Sequence, residues 1–113
     1  MNPRSADLFA RARLVTPGGV HSPVRAFGSV PGDPVFFASA SGSHATDADG
    51  NVYTDLCMSW GPLILGHADP DVVAAVTDAA GRGLSFGACH VGEVDLASLI
   101  VSAFPGFEQC RFV

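Results

Sequence analysis

The segment at residues 17–27 holds the side chains best suited to binding a small anion. Its glycines let the backbone approach a ligand closely, and its prolines limit the conformations open to the loop. Ser22 offers a hydroxyl, and Arg25 offers a planar guanidinium that can donate two parallel hydrogen bonds to a carboxylate. A lone arginine in a loop is weak evidence for a ligand, however, so residue types alone favour a structural ion pair between Arg25 and a nearby aspartate.

Trp60 is the second candidate and the only tryptophan in the chain. It follows a predicted strand and precedes Gly61 and Pro62. An indole can line a pocket or stack on a planar ligand, but a single tryptophan is more often part of the core. The residue alone leaves both interpretations open and favours the core.

Two other patterns resemble sites but fail on spacing. A calcium-binding EF-hand loop needs glycine sixth and glutamate twelfth. Counted from Asp47, glycine comes fourth and Met58 comes twelfth, so 47–51 is predicted to be a hairpin turn. Cys89 and His90 are adjacent, a spacing that seldom gives the geometry of a nucleophile and its base. We therefore predict no metal site and no catalytic residue within these positions.

Composition narrows the functional class. All 6 basic residues are arginines and none is a lysine, so no side chain can form an imine with a carbonyl cofactor. A net charge of −5 and scattered arginines disfavour nucleic-acid binding. The 3 cysteines form no CxxC pair and suit a reducing compartment. No signal peptide or membrane-spanning run is evident. We expect a cytoplasmic protein without nucleic-acid or membrane partners.

The balance of apolar and charged residues predicts exposed apolar surface. Hydrophobic residues make up 48% of the chain and charged residues only 15%, against about 25% charged in an average soluble domain. A small domain normally needs more polar cover than this. We expect part of the apolar surface to lie against protein outside these residues.

Periodicity and turn signals predict a helix followed by a small antiparallel sheet. Ser5 is a candidate N-cap for an amphipathic helix that ends before Pro17. Strands are predicted at 35–39, 44–47 and 52–56, joined by tight turns.

The second half predicts two more helices and a strand. Asp69 is a candidate N-cap with Pro70 at the first helical position, and Gly81 or Gly83 ends that helix. The next helix is predicted at 93–103, with Val94, Ala97, Ile100 and Val101 facing inward. Residues 109–113 read as a buried strand, and such a strand at the end of a chain predicts truncation.

Several of these segments, in this order and spacing, resemble the opening of the glutamate-1-semialdehyde 2,1-aminomutases, a group within the class-III aminotransferases. The loop Ser22-Pro23-Val24-Arg25-Ala26-Phe27 is the specific part of the resemblance. The other matching segments are Leu8-Phe9-Ala10-Arg11-Ala12, Pro17-Gly18-Gly19-Val20, Asp47-Ala48-Asp49-Gly50-Asn51, Ser59-Trp60-Gly61-Pro62, Ile64-Leu65-Gly66-His67-Ala68 and Gly83-Leu84-Ser85-Phe86-Gly87-Ala88.

The resemblance implies an α/β fold, α+β within these residues, that begins a type-I pyridoxal-phosphate-dependent transferase. It implies that residues 1–60 form the N-terminal helix, the substrate loop and the β-meander. It also implies that residues 61–113 begin the large cofactor-binding domain. It further implies a homodimer that converts (S)-4-amino-5-oxopentanoate to 5-aminolevulinate for tetrapyrrole synthesis. Arg25 would hold the substrate carboxylate, Ser22 would hydrogen-bond it, and Trp60 would line the pocket. The cofactor-binding residues and the lysine would lie outside this chain, which alone is expected to be inactive.

Two departures and two alternatives accompany the resemblance. His21 stands where the family usually has asparagine, and Cys89-His90 replaces a segment that usually begins with proline. Another class-III aminotransferase would keep the fold and change the substrate. A non-catalytic interaction module would fold cooperatively by itself.

Overall fold

The computed structural model describes residues 2–113, which form three helices and one sheet. The chain divides into two compact units, one ending at Ala74 and one running from Ala75 to Val113. The mixture of helices with a small antiparallel sheet confirms the α+β prediction, while the domain boundary expected after residue 60 stays a prediction. The elements are α1 (Pro3–Val15), β1 (Phe37–Ser41), β2 (His44–Asp47), β3 (Val52–Thr54), α2 (Pro70–Arg82) and α3 (Val91–Ala103).

The sheet is a meander in the order β1-β2-β3, with both pairs antiparallel. Gly42 and Gly50 close the two hairpins at φ 54° and 89°, a region that glycine adopts without strain. β2 has the predicted bounds. β1 begins two residues later than predicted, and β3 ends two residues earlier because the Asp55 side chain accepts the Cys57 amide and turns the chain.

The carboxylate of Asp47 closes the second hairpin from inside. The residue is only 2% exposed, and its Oδ1 accepts the amides of Asp49 and Asn51 at 2.9 and 2.8 Å. Its Oδ2 accepts the Asn51 side-chain amide at 2.8 Å and the Tyr53 hydroxyl at 3.0 Å. Burial works to raise the pKa of Asp47, but these hydrogen bonds outweigh it and lower the pKa. The acidic turn is therefore a hairpin turn, as predicted, and the Asp47 carboxylate accepts hydrogen bonds from within it.

Asp49, in the hairpin turn, caps α1. The helix begins at Pro3, and its N-cap residue Asn2 makes no side-chain cap. The Asp49 carboxylate instead accepts the amide of Arg4 at 2.8 Å and that of Ser5 at 3.0 Å. The prediction of Ser5 as the N-cap is wrong, because a side chain distant in sequence already satisfies the free amides of the first turn.

Ser5 itself has a different task, one turn inside α1. It is 2% exposed, and its Oγ accepts the amide of Phe36, just before β1, at 3.3 Å. Ser5 and Asp49 thus tie α1 to the sheet at two places. The amphipathic pattern predicted for α1 extends less far, since Leu14 and Val15 are 84% and 83% exposed.

The starts of α2 and α3 follow from side-chain caps. Asp69 Oδ1 accepts the amides of Asp71 and Val72 at 3.1 and 3.2 Å, which confirms the predicted cap of α2. The ring Nδ1 of His90 accepts the amide of Gly92 at 3.2 Å. α3 therefore begins two residues before the predicted position.

The unit from Ala75 to Val113 has little interior. None of its residues is buried. Val94, predicted to face inward, is 67% exposed, whereas Ala97, Ile100 and Val101 are half-buried. The buried strand predicted at 109–113 is wrong: these residues have no regular secondary structure, because no strand of the described chain pairs with them.

Within residues 2–113, no helix combines the length and apolarity that crossing a bilayer would take. Each of the three helices has 13 residues, whereas a spanning helix needs about 20.

The cap that Asp49 provides to α1 can be tested by replacing the residue. Asp49→Ala leaves the amides of Arg4 and Ser5 without an acceptor, so their hydrogen exchange should accelerate about fivefold or more. Asp33→Ala, which removes an exposed carboxylate from the loop before β1, is the matched control. Equal exchange rates in the two variants, followed by NMR, would show that the cap is unimportant.

The same cap has a pH dependence with a definite sign. Burial works to raise the pKa of Asp49, but the amides of Arg4 and Ser5 outweigh it and lower the pKa. The stabilisation is therefore present above the usual aspartate pKa of about 3.9 and is lost as the pH falls through the lowered value. Protection that weakened on raising the pH from 5 to 7 would contradict the assignment.

Candidate functional site

The loop between α1 and β1 presents Ser22 and Arg25. Two single turns of 3₁₀-helix, Pro17–Gly19 and Pro23–Arg25, shape it, each with a proline at its start. Proline fixes φ near the helical value and so limits the freedom of the loop. The Arg25 amide donates to the Ser22 carbonyl at 3.0 Å. The loop is ordered by its own backbone, as the sequence predicted.

Gly19 anchors this loop to α1. The residue is buried with φ 73°. A Cβ at this position would stand 2.7 Å from the Phe9 ring and 2.8 Å from Cγ of Arg13. These two side chains contact each other, with the Arg13 guanidinium carbon 4.9 Å from the centre of the Phe9 ring. Only glycine lets the loop backbone come this close to the helix.

The polar groups of the loop are available to a ligand. The Arg25 side chain is exposed, and no carboxylate within residues 2–113 forms an ion pair with it. Ser22 is half-buried, and its hydroxyl has no hydrogen-bond partner in that same range. The structural ion pair that residue types favoured for Arg25 is therefore wrong. A role for Ser22 and Arg25 in holding a substrate stays a prediction.

Trp60 lies in a left-handed turn. The φ values of Met58, Ser59 and Trp60 are 46°, 57° and 61°, and Gly61 follows at 118°. This region costs a non-glycine residue roughly 1–2 kcal/mol, so three in succession persist only where their surroundings hold them. The indole is 69% exposed, and the interpretation of Trp60 as a core residue is wrong.

The carboxylate of Asp55 holds that turn. Its Oδ1 accepts the amides of Cys57 at 2.8 Å and Met58 at 3.0 Å. Its Oδ2 lies 2.7 Å from Nε2 of His67. The hydrogen bond with His67 is the main cause of a lowered Asp55 pKa, and the Met58 and Cys57 amides add to it. His67 is thus hydrogen-bonded to the carboxylate that supports the turn.

A groove of about 930 Å³ opens along the face of the sheet beside this turn. Trp60 lines one part of it, and Phe27 brings the end of the 17–27 loop to it. Ser22 and Arg25 are not among the lining residues. The groove is lined mostly by apolar side chains, and the hydrogen-bonded pair Asp55 and His67 also lines it. It is lined by Phe27, Val35, Phe37, Ala38, Ser39, Ala40, Ala45, Tyr53, Thr54, Asp55, Leu56, Cys57, Ser59, Trp60 and His67.

The other sequence candidates have structural roles. His90 caps α3 through Nδ1 and stacks on Phe86 at 4.8 Å between ring centres. Among residues 2–113 there is no cluster of three or more histidine, cysteine or acidic side chains that could hold a metal ion.

Sequence reasoning missed Asp55. The available signal was its position, since an aspartate two residues before a turn commonly accepts the amides that follow it. Nothing in the spacing indicated that His67, twelve residues later, would hold the other carboxylate oxygen. Asp49 was likewise recognised only as a turn residue.

A comparison with known proteins now defines the class. The family model of the class-III aminotransferases matches residues 27–113, and the chain belongs to that family. Solved structures agree on the fold: the β-phenylalanine aminotransferase from Variovorax paradoxus has a TM-score of 0.89 at 30% identity, covering 99% of this chain and 25% of that one. The fold implied by the resemblance, the start of a type-I pyridoxal-phosphate-dependent transferase, is confirmed.

The similarity extends to one kind of enzyme within the family. The glutamate-1-semialdehyde 2,1-aminomutase of Myxococcus xanthus is 57% identical over 109 residues, which are 96% of this chain and 25% of that protein. The enzyme of the same name from Bordetella avium is 57% identical over 110 residues, 97% of this chain and 26% of that protein. The chain spans about a quarter of the length of these relatives.

The close approach at Gly19 predicts a difference between neighbouring glycines. Gly18 and Gly19 have nearly the same φ, 69° and 73°, but a Cβ on Gly18 meets nothing within 4 Å. Gly18→Ala should cost only the left-handed strain, about 1–2 kcal/mol. Gly19→Ala should cost about 1–3 kcal/mol more, because it also displaces Phe9 and Arg13.

Urea unfolding followed by far-ultraviolet circular dichroism compares the two variants directly. Since their backbone strain is matched, the difference in unfolding free energy reports the contact with α1. Equal losses of stability would mean that the loop does not rest on the helix at this point.

Proposed function

We propose that this chain forms the substrate-binding part of a glutamate-1-semialdehyde 2,1-aminomutase. The enzyme would move the amino group of (S)-4-amino-5-oxopentanoate to the adjacent terminal carbon, giving 5-aminolevulinate for tetrapyrrole synthesis. Four relatives that carry this name are 54–57% identical over 109 or 110 residues. The single observation that supports the proposal within the structure is the Arg25 guanidinium on a proline-stiffened loop, which pairs with no carboxylate of residues 2–113.

The chemistry of the loop suits the substrate. Glutamate-1-semialdehyde ends in one carboxylate, and a guanidinium binds a carboxylate through two parallel hydrogen bonds. In the proposed enzyme Arg25 clamps this end, Ser22 adds a third hydrogen bond, and Trp60 lines the pocket. Holding the far end of a small substrate leaves its other carbons in place for the reaction.

Pyridoxal phosphate is the cofactor of the proposed enzyme, but these residues do not suit it. The cofactor is held as an imine on a lysine, and the chain contains none. The imine-forming lysine would therefore come from outside these 113 residues, and the chain alone is proposed to be inactive. Related solved structures carry the cofactor: one is a transaminase with PLP bound, and an aminomutase of Pseudomonas aeruginosa PAO1 is in complex with PMP.

We also propose a cytoplasmic homodimer that binds neither nucleic acid nor membrane. The exposed apolar side chains support burial against further protein, since patches of this kind usually mark interfaces. The net charge of −5 opposes binding to phosphate backbones. The three cysteines are free, which suits a reducing compartment.

The test uses a chimera in which this chain replaces the matching segment of the Myxococcus xanthus aminomutase. The chimera should produce 5-aminolevulinate. Arg25→Ala should raise KM for glutamate-1-semialdehyde about 10- to 100-fold, because a charge-assisted hydrogen bond to the carboxylate is lost. The KM of Arg25→Lys should lie between those of the unaltered chimera and Arg25→Ala, because lysine keeps the positive charge but cannot donate two parallel hydrogen bonds.

Arg11→Ala is the matched control. Arg11 is an exposed arginine whose ion pair, with Asp7 at 3.7 Å, lies on the surface of α1, so KM should stay unchanged. A chimera that makes no 5-aminolevulinate would contradict the proposed function. An Arg25→Ala variant with unaltered KM would contradict the role given to Arg25.

A further inference from the structure

We propose that Asp55 and His67 are positioning residues for substrate binding, which act by fixing Trp60 at the groove. The proposal rests on the proposed function, since it assumes that the indole lines the substrate pocket. Neither residue needs to touch the substrate. Their effect passes through the backbone of the left-handed turn that carries Trp60.

The side chain of Asp55 supports the left-handed turn that carries Trp60. Of all side chains in residues 2–113, only that of Asp55 hydrogen-bonds the backbone of residues 57–61, through Cys57 and Met58. The backbone adds two bonds of its own, from Trp60 to Cys57 at 2.9 Å and from Gly61 to Met58 at 3.3 Å. The carboxylate therefore compensates for the strain of three left-handed residues.

His67 fixes the orientation of the Asp55 carboxylate. With Oδ2 held by His67 Nε2 at 2.7 Å, Oδ1 is directed at the turn. His67 in turn is fixed by its backbone, which exchanges two hydrogen bonds with Gly42 at 2.8 and 2.9 Å. The Asp55 amide donates to the Ser43 carbonyl at 2.8 Å. Both partners are thus attached to the β1–β2 hairpin, a rigid base for the turn.

The Asp55–His67 pair lies at the groove. Asp55, His67 and Trp60 all line it. Because the indole is 69% exposed, packing against the rest of the chain does little to hold it, and its direction is set by the backbone of the turn. Loss of the carboxylate should leave the fold of the sheet in place and release the indole from the groove.

The test is a double-mutant cycle for KM in the chimera. Asp55→Ala and Trp60→Ala should each raise KM for the semialdehyde about 5- to 10-fold, with little change in kcat. The KM of the double variant should be no higher than that of either single variant, because Asp55 acts through Trp60. His67→Ala should also raise KM, and His67→Gln, which retains a side-chain donor, should have a KM close to that of the unaltered chimera. Multiplicative effects of Asp55→Ala and Trp60→Ala would overturn the proposal.

Asp69→Ala is the matched control, since Asp69 also accepts two backbone amides but has no bond to the turn. The steady-state fluorescence anisotropy of Trp60, the single tryptophan, gives a second measurement on the 113-residue chain itself. Asp55→Ala should lower the anisotropy and Asp69→Ala should not; equal values in both would overturn the proposal. If the chimera is inactive, the aminomutase function fails, and the anisotropy still decides the positioning role.

Discussion

The carboxylate of Asp55 is the constraint on which the groove depends. It connects the left-handed turn to His67 and to the end of the sheet through three hydrogen bonds. A left-handed run of ordinary residues is unfavourable by itself, and the two amide hydrogen bonds to this carboxylate support the turn that carries Trp60. Hydrogen bonding lowers its pKa, and the ionised form is therefore the normal one at neutral pH.

Two further carboxylates, those of Asp47 and Asp49, organise the hairpin between β2 and β3 in a similar way. Asp47 satisfies its own hairpin, and Asp49 caps α1 from that hairpin. Within residues 2–74, hydrogen-bonded aspartates thus add to the backbone pairing of the sheet, and Ala45 is the one buried hydrophobic side chain of the described chain. The 17–27 loop and the groove are thus well defined although little apolar surface is buried around them.

The sequence was informative where the signals are local. Pro70 after Asp69, Gly50 in the hairpin and the proline-rich loop all acted as local chemistry requires. It failed where distant residues meet: Ser5 was mistaken for a cap because Asp49 could not be seen to reach α1. The strand expected at 109–113 has the right composition but no pairing strand in the described chain. Arg25 and Trp60 could be named from residue type and resemblance, whereas Asp55 required the fold.

The most direct test of the account is a crystal structure of the aminomutase chimera carrying Asp55→Ala. The account predicts that Met58, Ser59 and Trp60 relax to negative φ and that the indole leaves the groove, while β1, β2 and β3 keep their register. A variant in which these three residues retain φ values near 46°, 57° and 61°, with the indole in place, would contradict it.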